Sequence, residues 1–156
     1  MTSEWPSITL DPVRRLRVVA AGVRGAAVTE RVVAADLAEV WAMLTDFEGG
    51  FTRVQPDMRQ VRVLSSVTDR VELLATSRHG MRARLVGVER FGWCWLQSRF
   101  LIIAMAATQE ATGGTRVALT GGVRVPSRAA IVPVGVRREA GRSLDLLEHF
   151  LARPTG

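Results

Sequence analysis

The chain has 156 residues, enough for one domain with a sizeable core and too few for two. Its 47% hydrophobic and 23% charged residues exclude the apolar-poor composition of a disordered chain. The net charge of +6 is carried by arginines spread singly or in pairs from Arg14 to Arg153, without lysine; this lacks the clustered footprint of a nucleic-acid binder, and no nucleic acid is expected as a partner.

Cys94 is the only cysteine, so an internal disulfide is excluded. The longest apolar run, Phe100 to Ala107, falls short of the ~20 residues that cross a bilayer, and no integral membrane segment is expected. Acidic Glu4 and the arginines from Arg14 onward interrupt any secretory pattern, which makes the cytoplasm the expected compartment.

Residues 1–25 mix Pro6, Pro12, Gly22 and Gly25 with arginine and show no settled period, so they read as an extension, an irregular arm or edge strand. Residues 26–153 read as the domain. Val28, Glu30 and Val32 alternate with Thr29, Arg31 and Val33, predicting a first strand. Asp36 and Glu39 stand at capping-box spacing, predicting a short helix whose inner face is Leu37, Val40, Trp41 and Leu44 and which breaks at Gly49-Gly50.

After Pro56 the period becomes two. Val61 and Val63, then Val71, Leu73 and Ala75, predict two strands around a turn at residues 65–69. Met81, Ala83 and Leu85 alternate with Arg82 and Arg84, and the meander continues through Trp93–Arg99, Leu101–Glu110 and Arg116–Val125. Pro126 and Pro133 end the strands. Beyond them Val136, Ala140, Leu144, Leu147 and Leu151 form the stripe of a long amphipathic helix, stopped at Arg153-Pro154.

The order of a strand, a capped short helix, a glycine break, an antiparallel meander and a final helix resembles the helix-grip fold of the START-like, or SRPBCC, superfamily. That superfamily includes polyketide cyclase/dehydrase-like and Bet v 1-like proteins. The resemblance rests on Glu30-Arg31-Val32-Val33, Ala35-Asp36, the run from Glu39 to Phe47, Gly113-Gly114-Thr115-Arg116-Val117 and Leu144 to Leu151. It implies an α+β domain in which a curved antiparallel sheet of six or seven strands wraps around the C-terminal helix. It also implies a cavity for a hydrophobic small molecule of lipid, polyketide or aromatic type, and in some members cyclisation or dehydration of such a molecule.

Alternation assigns the lining of that cavity to Leu73, Ala75, Met81, Ala83, Leu85, Trp95, Ile103 and Met105, with Leu144 from the helix and Trp41, Phe47 and Phe51 at one mouth. Two registers stay open for Trp93–Arg99. In one, Trp95 faces inward together with Gln97 and Arg99, which become the candidate catalytic pair for stabilising an enolate; in the other, Cys94, Leu96 and Ser98 face inward and Arg99 is solvated. His79 reads as an exposed turn residue, His149 as a helix-end residue and Cys94 as an inert buried thiol. Two histidines and one cysteine far apart make no metal pattern, and no cofactor is expected.

The first expectation is a binding protein for a small hydrophobic molecule. The alternatives are a polyketide cyclase/dehydratase-like enzyme and an interaction module whose basic surface docks an acidic partner. A homodimer is left open.

Overall fold

The computed structural model describes residues 10–123 and 132–152, without the side chains of 122–123 and 132–137. The expected arm over residues 1–9, the strand end at Pro126, the helix stop at Arg153-Pro154 and the side chain of Val136 lie outside the described residues.

The extension holds a helix where an arm or edge strand is expected. Helix α1 spans Pro12–Ala21. Its start is chemically well defined: Asp11 accepts a hydrogen bond from the Arg14 amide at 3.0 Å, and Pro12 sits where a missing N–H costs nothing. Val13, Leu16 and Ala20 recur at helical spacing and are buried. Interleaved arginines conceal this stripe in the sequence.

Strand β1 (Ala27–Val33) follows, then α2 (Leu37–Thr45) and α3 (Gly50–Val54). Asp36 caps α2 in extended backbone, yet its side chain makes no capping hydrogen bond, so the predicted capping box places the helix start without forming. The glycine pair is also more than a break. Asp46 Oδ2 accepts the Gly50 amide at 2.9 Å, and α3 starts there.

Six further strands complete the meander: β2 (Met58–Val67), β3 (Arg70–Ser77), β4 (Arg82–Arg90), β5 (Trp93–Gln97), β6 (Leu101–Gln109) and β7 (Thr115–Val123). β2 runs through the expected turn at residues 65–66 and reverses only at Thr68, whose φ of 57° is the left-handed geometry of a tight turn. All seven strands form one antiparallel sheet in the order β1-β7-β6-β5-β4-β3-β2. Helix α4 (Val132–Leu151) closes the chain; Pro133 lies in its first turn, where proline is tolerated.

Gly87 is required by the close approach of two strands. A Cβ there would stand 1.8 Å from the Trp95 carbonyl oxygen, so β4 and β5 approach in a way only glycine permits.

The sheet separates two apolar clusters. On its inner face, residues of β1 to β7 pack with α2, α3 and α4 in one cluster that includes Trp41, Phe51, Leu73, Leu85, Leu96, Met105, Leu144 and Leu147. On its outer face, Val13 and Leu16 of α1 pack on Trp93, Ala104, Ala106 and Ala118. Helix α1 lies against β1, β6 and β7 and leaves the outer face of β2 to β4 uncovered by any described helix.

Candidate functional site

Nine of the twelve residues assigned to the cavity meet in the inner cluster: Trp41, Phe47, Phe51, Leu73, Ala75, Leu85, Ile103, Met105 and Leu144. Phe47 and Phe51 meet edge to face with centroids 5.6 Å apart, bridging α2 and α3. Around them the side chains fill the space between sheet and helices, and Phe51, Leu73, Leu85, Met105 and Leu144 are fully buried.

Toward the β3–β4 and β5–β6 turns the apolar residues are less enclosed. There Ala83, Leu101 and Met58 are only partly buried. At the adjoining turns Met81 is 75% exposed and Phe100 61% exposed. Met81 stands in the β3–β4 turn, one residue before β4 begins, and therefore lies outside the inner wall formed by the strand.

Trp95, Gln97 and Arg99 require correction. The β4–β5 pairs Gly87↔Leu96 and Glu89↔Cys94 put Leu96 and Cys94 on the inner face, so Trp93, Trp95 and Gln97 point outward. Trp95 packs with the α1 cluster, and Arg99, in the β5–β6 turn, lies over Phe100 at 5.7 Å. The physical reason is burial: Cys94 and Leu96 are fully enclosed at no polar cost, whereas the other register would enclose a glutamine beside a guanidinium. This register turns Gln97 away from the inner face, and Arg99 is exposed in the turn beyond it, so neither lines that face.

The inner strands carry two charged side chains among the described residues, and both are engaged. Glu89 Oε1 accepts the Trp41 Nε1–H at 2.8 Å. Arg31 on β1 pairs with Asp145 at 2.5 Å and with Glu148 at 3.6 Å, tying the sheet to α4. Burial pushes the Cys94 thiol well above its ordinary range, and the nearby negative charge of Glu89 adds to the shift, so the thiol stays protonated and is no nucleophile. His79 and His149 are exposed. Among the described residues no group of His, Cys, Asp or Glu gathers that could hold a metal.

One further acid lies on α4 where the helix meets the α3–β2 loop. Glu139 shares a hydrogen bond with Asp57, and this bond, with partial burial, raises its carboxyl to about 7. Close by, Ser143 donates to Gln55 Oε1 at 3.5 Å, a second polar tie between α4 and α3.

The outer face holds grooves that the sequence reading missed. One of about 390 Å³ is lined by Arg15, Val88, Trp93 and Trp95; a second of about 690 Å³ extends it toward Arg70, Arg84 and Arg99. The two share Val86, Gly87, Val88, Arg90 and Gln97. Trp93 and Trp95 stack with centroids 6.4 Å apart, and the Arg15 guanidinium sits 4.6 Å over Trp93. The signal was present in the alternation of Val86, Val88 and Arg90 against Leu85, Gly87 and Glu89.

No protein-family model matches the chain, and no curated protein matches it in sequence. Its structure is similar to that of a START superfamily protein from Mycobacterium smegmatis, at 15% identity and TM-score 0.61 over 81% of this chain and 96% of that one. It is similar to the KanY protein, at 14% identity and TM-score 0.66 over 82% and 97%. It is also similar to the di-domain ARO/CYC protein BexL from the BE-7585A biosynthetic pathway, at 12% identity and TM-score 0.63 over 88% of this chain and 54% of that one. The fold is therefore START-like, an α+β helix grip of seven antiparallel strands. Among the described residues no helix is long and apolar enough to cross a membrane.

Proposed function

From this START-like fold, we propose that the protein binds a small hydrophobic molecule of lipid, polyketide or aromatic type between the inner face of the sheet and α4. The molecule enters where the β3–β4 turn and the β5–β6 turn flank the gap. The observation that carries this reading is the continuity of the apolar lining: it runs from the packed layer of Leu73, Leu85 and Met105 to partly exposed Ala83 and Leu101, with Met81 and Phe100 exposed at the rim. Apolar burial supplies the affinity, at about 25 cal/mol per Å² removed from water.

Binding without chemistry is preferred over the cyclase/dehydratase alternative, which draws on the likeness to BexL. Catalysis in the gap needs a free acid, base or oxyanion donor. Glu89 and Arg31 are each tied to a structural partner, and Gln97 and Arg99 belong to the outer face.

The test is titration with the neutral apolar fluorophore N-phenyl-1-naphthylamine. The wild-type protein is expected to enhance its emission saturably, and Ala83→Trp, which fills the rim where Ala83 is partly exposed, is expected to weaken binding about tenfold with unchanged far-ultraviolet circular dichroism. Unchanged affinity in a folded Ala83→Trp protein would reject the site.

A further inference from the structure

A tryptophan left half-open on a sheet face is unusual when a helix lies beside it to cover it. Helix α1 packs on β1, β6 and β7 and ends its cover at Trp93, whose ring face is taken by Arg15. Trp95, one step further along the same face, is only partly buried, and it pairs across the strands with Val88 as Gln97 pairs with Val86. The result is an apolar strip of Trp95, Val86 and Val88 on the floor of the outer groove.

Cations frame this strip. Arg84 is matched by Glu72 and Arg90 by Asp69. The hydrogen bond from Arg90 holds the Asp69 carboxyl below the ordinary carboxylate range, so that pair stays charged and satisfied. Arg15, Arg70 and Arg99 have no carboxylate partner among the described residues. Arg15 lines the smaller groove beside Trp93; Arg70, level with Val88, and Arg99, beyond Gln97, line the larger one.

We infer that this outer groove is a second binding site, for a small planar aromatic anion whose ring stacks on Trp95 and whose carboxylate, sulfonate or phosphate group pairs with Arg99. A guanidinium is weakly hydrated and presents a planar fork of N–H donors that matches such groups, and it loses less on leaving water than an ammonium does. A single-stranded nucleic acid would need several rings in succession for its bases. Here one ring is available, because Trp93 is sandwiched between Arg15 and Trp95. The site is on the opposite side of the sheet from the inner gap and does not depend on it.

The experiment uses 2-naphthoate as the probe, followed by calorimetry and by the indole N–H signal of Trp95 in two-dimensional NMR. Saturable binding is expected, with the Trp95 signal shifting, and it persists in protein already saturated with N-phenyl-1-naphthylamine. Methyl 2-naphthoate, which keeps the ring and loses the charge, is expected to bind about tenfold more weakly, and Trp95→Ala and Arg99→Ala each to weaken 2-naphthoate by about tenfold. Arg99 is exposed, so its variant keeps the test informative should Trp95→Ala lose stability. Equal binding of ester and acid, or affinity unchanged in both variants, would overturn the inference. So would tight binding of a dodecamer of deoxythymidylate with none of 2-naphthoate.

Discussion

The two faces of the sheet are built from the same strands by one-residue alternation, yet they solve opposite physical problems. On β4, Leu85, Gly87 and Glu89 face inward while Arg84, Val86, Val88 and Arg90 face outward. The inner face packs its large apolar side chains together and gives each of its charges a partner, Glu89 to Trp41 and Arg31 to α4. The outer face keeps three arginines without carboxylate partners, among the described residues, beside an aromatic strip. The difference teaches that charge on this protein is sorted by face and not by segment, which is why a net charge of +6 shows no cluster along the chain.

Truncating neighbours on β4 separates the faces most strongly. Leu85 is fully buried, and Leu85→Ala is expected to cost about 2–5 kcal/mol of unfolding free energy; Val86→Ala, one residue along on the half-open face, should cost less than about 1 kcal/mol. Urea melts of the two variants check this. Similar losses would mean that both faces are packed alike.

A smaller effect is expected from Trp41→Phe, which keeps the ring's bulk largely in place and removes the donor to Glu89. Leaving that carboxylate without its partner costs about 1–3 kcal/mol. Adding Glu89→Gln should recover part of the loss, because an amide is cheaper to leave unpaired than a charge.

The smallest effect is a pH dependence. Glu139 has its folded-state carboxyl raised to about 7 from an ordinary 4.5, so between these values the folded protein holds more protons than the unfolded chain. Its contribution to stability is present below about 4.5 and is lost as pH rises through about 7. Because the side chain is largely solvent-accessible, screening limits the effect to about 1 kcal/mol or less. Thermal melts from pH 5 to 8 should fall more in the wild type than in Glu139→Gln.

Most of the architecture was legible because strands with one buried face write it as period two. The alternation of Thr29, Arg31 and Val33 against Val28, Glu30 and Val32 gave all of β1 but Ala27, and the Leu144–Leu147–Leu151 stripe gave α4. Helix α1 was hidden because arginines at positions 14, 15 and 17 flood a stripe of only three buried residues, although Asp11-Pro12 is a good helix start. The site was legible where residues are large and apolar. It was lost on β5, because Trp93-Cys94-Trp95-Leu96 is apolar in both registers; only the outward helix, unseen in the sequence, makes burying Trp93 on the outer side favourable. Nor does local pattern reveal that the inner face is tightly packed beside α2 and α3 while Ala83 stays partly exposed, since packing depends on which helix covers which strand.

Methyl-resolved NMR during titration with N-phenyl-1-naphthylamine tests the central claim most directly, because it reports which face the apolar ligand touches. The methyl signals of Leu101 and Ile103, on the inner side of β6, should shift in step with binding while those of Val86 and Val88 stay still. Movement of Val86 and Val88 with Leu101 and Ile103 unchanged would contradict the account.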